Sequence, residues 1–81
     1  MTDLTERLTD LHASLQAKRG LDWPLTFRGQ DPVFALALRM LVDAQAYLLD
    51  GQEDAAALSV RVAEDSLRIL TSLHSLATAD L

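Results

Sequence analysis

Residues 31–51 read DPVFALALRMLVDAQAYLLDG, and this stretch decides what the chain builds. Asp31-Pro32 opens a helix: the carboxylate caps free N–H groups, and proline at the first helical position lacks an N–H that would find no partner there anyway. Asp50-Gly51 closes it, since glycine leaves a helix through a left-handed turn without steric cost. Between these ends Val33, Phe34, Leu36, Leu38, Met40, Leu41, Val42, Tyr47, Leu48 and Leu49 spread over about 240° of the helix wheel, leaving Arg39, Asp43 and Asp50 on a narrow polar strip. Only Gln45 interrupts the apolar arc. A helix over 32–50 of this kind is expected to be surrounded by protein, and its length and polar strip argue against a membrane span.

Toward the C-terminus, Gln52 gives way to a third helix, expected over 53–77, with Glu53 and Asp54 at the positive end of its dipole. Leu58, Val62, Ile69, Leu73 and Leu76 form one ridge; Val60, Ala63, Leu67 and Leu70 form another. Ala55, Ser59, Ser66 and Ala77 fall between the ridges and let a neighbouring backbone come close. Arg61 with Asp65, and Glu64 with Arg68, are spaced as i,i+4 pairs on a water-facing side.

Toward the N-terminus, a first helix is expected over 3–19. Thr2 or Asp3 would cap it, Glu6 would complete a capping box, and Lys18-Arg19-Gly20 would stop it. Leu4, Leu8, Leu11 and Leu15 make a stripe only about 60° wide, enough to cover one groove. The linking segment 21–28 alternates Leu21, Trp23, Leu25 and Phe27 with Asp22, Pro24, Thr26 and Arg28. Because Pro24 favours extended geometry at itself and at Trp23, the alternation predicts an apolar strap with four side chains on one surface.

The spacing Met40-x3-Ala44-x2-Tyr47-x3-Gly51-x4-Ala56-x3-Val60-x2-Ala63, about a third of the chain, is similar to a tetratricopeptide-type helical hairpin. Asp43 stands where that pattern takes an apolar residue, Arg68 stands where it ends in proline, and only one copy is present. The resemblance implies a close antiparallel hairpin of the second and third helices, not a repeat array.

At 81 residues the chain has room for one core and is read as a single small helical domain over 1–81. It holds no cysteine, so no disulfide or thiolate site staples that core, and packing or association must stabilise it. Seven basic against twelve acidic residues give a net charge of −5, which opposes binding to a phosphate backbone. The polar start lacks the basic and apolar regions of a signal peptide, so a cytoplasmic location is expected.

Catalytic signatures are missing. His12 and His74 are far apart and outside any zinc-ligand spacing, and no glutamate stands three residues before either, as a diiron site requires. Ser59, Ser66, Ser72 and Ser75 lie in no nucleophile elbow, no glycine-rich phosphate loop occurs, and Asp50, Glu53 and Asp54 lack the calcium-loop pattern. The reading is therefore a non-enzyme without metal or cofactor.

Supply and demand of apolar surface point to self-association. The second and third helices present more than the first helix and the strap can cover, and soluble monomers do not leave large apolar patches bare. The expected solution is a homodimer with a four-helix core. Phe34, Leu38, Leu41, Leu48, Leu58, Val62, Ser66, Ile69 and Leu73 are its expected interface, and Trp23, Phe27 and Arg28 are candidates for contact with a protein partner. The functional expectation is an interaction module, an adaptor or an inhibitor. A ligand-binding regulator with an apolar pocket between helices is the first alternative. An acidic nucleic-acid mimic is the second, although its acids sit at helix starts or alternate with arginine.

Overall fold

The computed structural model describes residues 3–79, which form three helices and, among the described residues, no strand: α1 (Leu4–Arg19), α2 (Gln30–Leu49) and α3 (Glu53–Thr78). The most extensive interhelix contact is between α2 and α3, and α1 lies on both, touching α3 more than α2. Small residues explain the first contact. Ala37 and Ala44 of α2 and Ala56, Ser59, Ala63 and Ser66 of α3 are all buried, so two backbones approach with little side-chain bulk between them. Leu8, Leu11 and Leu15 of α1 then join Phe34, Leu41, Val60 and Leu70 in one apolar core. Each buried leucine contributes about 2 kcal/mol of gross transfer free energy, which is what seats a helix with so narrow a stripe.

Five of the six helix ends lie within one residue of the expected bounds, and the start of α2 departs from them. The chain leaves α2 through a Schellman turn: Gly51 has φ of 75°, its N–H donates to the Leu48 carbonyl at 3.1 Å, and the Gln52 N–H donates to that of Tyr47 at 2.8 Å. At the other end of α2 the start lies two residues earlier than expected, with Gly29 as N-cap and no side-chain cap. The Asp31 N–H donates to the Arg28 carbonyl at 3.2 Å, which winds Gln30 and Asp31 into the helix. Pro32 still fits, because no residue of the first turn has an intrahelical acceptor for its N–H. Asp3 is the N-cap of α1 but its side chain makes no capping bond, so the expected capping box with Glu6 is not formed; Thr2 lies outside the described residues.

The strap is corrected. It is not an extended segment with one apolar face: the Phe27 N–H donates to the Pro24 carbonyl at 3.0 Å, and the chain turns there. Leu25 is left at the tip, 89% exposed, while Trp23 and Phe27 fold back and stack with ring centroids 6.0 Å apart. A Cβ on Gly29 would come within 2.8 Å of the Phe27 ring, so the ring lies where only glycine gives it room. The expected charge pairs are also replaced. Asp65 meets Arg68 at 3.5 Å, one residue closer than the i,i+4 spacing, and Glu64 turns to Arg7 of α1.

With a mean hydropathy of 1.4 in its most apolar window, α2 is by length and composition long and apolar enough to cross a membrane, against the reading of its polar strip. In the fold, one side of α2 packs on α3 and α1, and the molecule is a slab of 46 × 23 × 16 Å. Helices pack about 8–10 Å apart, so the thinnest dimension holds two helix layers and no third. One side of the α2–α3 pair is therefore uncovered.

Candidate functional site

Which side is bare follows from the contacts of α1. On α3 the α1 side is marked by Glu64, which accepts from Arg7 Nη2 and from Arg7 Nε at 3.4 Å, and by Leu67, which shares a cleft with Leu11 and Ser14. This bond to Glu64, opposed by partial desolvation and aided by the nearby negative charge, holds the Arg7 guanidinium above its ordinary pKa. On α2 the α1 side is marked by Gln45 and Leu48, which line a cleft with Thr5, Leu8, Thr9 and His12.

At about 100° per residue, Val62 and Ile69 stand about 140–160° round α3 from Glu64, and Leu36 and Tyr47 stand about 160–180° round α2 from Gln45. They lie on the far side of the α2–α3 pair from α1. Along α3 this side carries Leu58, Val62, Ile69, Leu73 and Leu76 in one row. Leu58 is 66% exposed, Ile69 50% and Leu76 69%; Val62 and Leu73 are half-buried. Leu36 and Tyr47 of α2 are exposed beside half-buried Met40. The result is a largely apolar face, with Asp43 among the α2 residues and Asp65 beside the α3 row.

The expected interface residues divide accordingly. Leu58, Val62, Ile69 and Leu73 are on this face. Phe34, Leu41 and Ser66 are buried in the chain's own core, and Leu38 and Leu48 pack half-buried against it, away from that face. Ser66 Oγ donates to the Val62 carbonyl at 2.9 Å, which satisfies the hydroxyl inside the α2–α3 contact. Leu36, Tyr47 and Leu76 belong to the bare face as well; for Leu76 the signal was its place in the same ridge.

The strap candidates are also separated. Trp23 Nε1 donates to the Lys18 carbonyl at 3.1 Å, and the indole meets Phe34 and His74 edge-on, with centroids 6.2 and 4.9 Å away. His74 Nε2 is 3.1 Å from the Asp22 carbonyl. Trp23 and Phe27 thus close the end of the bundle, and Arg28 is exposed. Nearby, Gln30 is buried with its Oε1 unpartnered among the described residues, and the Arg19 guanidinium lies 5.5 Å from the centroid of the Phe34 ring. No protein-family model matches this chain, and no curated protein or solved structure matches it either.

Two further features bear on function. His12 is exposed on the wall of the α1–α2 cleft, whose volume is about 610 Å³. Among the described residues, no three His, Asp or Glu side chains come together in a group able to hold a metal ion.

Proposed function

We propose that the chain is a non-enzymatic helical interaction module that acts as a homodimer and engages a protein partner as an adaptor or inhibitor. In this reading α2 and α3, joined by the short Asp50–Gln52 link, run antiparallel, and the bare faces of two such hairpins close on each other as a four-helix core. The observation that carries it is the row Leu58, Ile69 and Leu76, large apolar side chains exposed in line on the face that α1 leaves open. An exposed row of this kind on a two-layer slab is what a second hairpin covers in a twofold bundle. Leu21, Leu25, Val42 and Leu49, exposed away from that row, are apolar groups open to a partner.

Light scattering and circular dichroism test this together. The native chain is expected at about twice its 8.9 kDa mass, and Ile69→Glu at the monomer mass with its helix signal retained. A native chain that stays at 8.9 kDa at micromolar concentration sinks the reading. A second reading, a regulator that binds a small amphipathic molecule, is favoured by the α1–α2 cleft, where Leu8, Leu48 and Leu49 lie beside Thr5, Thr9 and His12. A ligand-dependent rise in melting temperature that is lost in Leu48→Asp separates it from the first.

A further inference from the structure

We propose that the cleft where the end of α1, the link after it and the start of α2 meet is a binding site for an α-amino acid with an apolar side chain; the site goes beyond the interaction-module reading and does not depend on a second copy. Its walls include Arg19, Trp23, Gln30, Asp31, Phe34 and Leu38, and its volume of about 370 Å³ is that of a small-molecule site. One face of α2 supplies four of these residues: Gln30, Phe34 and Leu38 follow at spacings of four, and with Asp31 they fall within about 100° of the helix wheel.

Gln30 is the residue that calls for a ligand. It is only 6% exposed, and its Oε1 is shut from water with no hydrogen-bond partner among the described residues. The fold has no task for this side chain, since Gly29 is the N-cap of α2 and no side chain makes a capping bond. An acceptor buried without a partner weakens the free chain, and such groups are kept where a site uses them. Because Gln30 lines the cleft, an N–H donor held there is the partner that its amide oxygen lacks.

The remaining wall fixes what carries that donor. Arg19 is exposed, with its guanidinium 5.5 Å from the centroid of the Phe34 ring, and among the described residues it pairs with no carboxylate; it is placed to take an anion. Asp31, exposed beside Gln30, favours a donor that is positively charged. Phe34 is one helical turn from Gln30, and side chains one turn apart stand about 5–6 Å from each other. Anion and cation must therefore sit close together on the ligand, as the carboxylate and ammonium of an α-amino acid do. Trp23, Phe34 and Leu38 offer apolar surface to its side chain and would leave a charged one unpaired.

Trp23 reports occupancy directly, because it lines the cleft and is the only tryptophan. Titration of the native chain with L-leucine is expected to change its emission saturably, with one ligand per chain by calorimetry. Isocaproate, which lacks the amine, and isoamylamine, which lacks the carboxylate, are each expected to bind about tenfold more weakly or worse. Gln30→Met is expected to weaken L-leucine about tenfold while melting no lower than the native chain, so that the loss is not one of folding. Arg19→Met, at an exposed position, is expected to weaken it to a similar degree without touching the core. No saturable change with L-leucine or L-phenylalanine at millimolar concentration overturns the site. So does an analogue that binds as tightly as L-leucine, or full affinity in Gln30→Met.

Discussion

On one side of the α2–α3 pair, Val60 and Leu70 share a core with Leu8, Leu11 and Leu15 of α1 and are shut from water; on the other, Leu58, Ile69 and Leu76 repeat the same side-chain types and remain wet. Hydrophobicity does not distinguish the two sides. What does is the company each keeps: the covered side has Glu64 placed to receive Arg7, and the bare side is bordered by Asp65, which meets Arg68 of its own helix. Folding of the chain consumes one apolar face and leaves the second open to water.

Substitutions that treat the two sides alike can break this contrast. The largest effect is expected from Leu70→Ala, which opens a cavity at a fully buried position and should lower the unfolding free energy by about 3–4 kcal/mol in urea titration. Leu58→Ala, measured at concentrations where the chain is dissociated, should change it by less than about 0.5 kcal/mol. Equal losses would mean that the protomer itself buries Leu58.

Next in size is Ser66→Leu, which forces a large side chain between two closely approaching backbones and is expected to cost about 2–3 kcal/mol by thermal melting, while Ser72→Leu on the exposed side stays near zero. Gln30→Met, close in volume, removes a buried acceptor that has no partner and should raise stability by about 1 kcal/mol. The smallest effect belongs to the half-exposed pair of Arg7 and Glu64. A double-mutant cycle with Arg7→Met and Glu64→Gln should give a coupling below about 1 kcal/mol that fades in 1 M salt. A coupling that survives salt would show the pair to be far more enclosed than its exposure indicates.

The sequence made some of this contrast legible and hid the rest for identifiable reasons. The ends at Gly20 and Gly51 could be read because a helix stop is a local event. The start of α2 was misplaced because Pro32 is tolerated anywhere in a first turn and therefore does not fix the first residue. Alternation over 21–28 suggested an extended strap, yet four alternating residues are also what a turn at Pro24 displays when Trp23 and Phe27 fold back together. The two ridges of α3 were visible from their spacing; Ser59 and Ser66 pointed to a close neighbour, but not to which ridge α1 would take. Glu64 was assigned to Arg68 because its actual partner, Arg7, is 57 residues away, beyond any local pattern.

Trp23 has a consequence for how this molecule can be watched. It is the only tryptophan in the chain, and its indole touches the end of α1 through Lys18, the start of α2 through Phe34 and the last turns of α3 through His74. Its fluorescence is therefore a native optical gauge of one junction, dimming or shifting when any of three helices is unseated there. Because that junction lies off the row formed by Leu58, Ile69 and Leu76, the gauge is blind to the meeting of two copies unless association also disturbs the bundle end. Folding and the proposed assembly can thus be followed as two separate signals in an unlabelled protein, emission for the first and mass for the second.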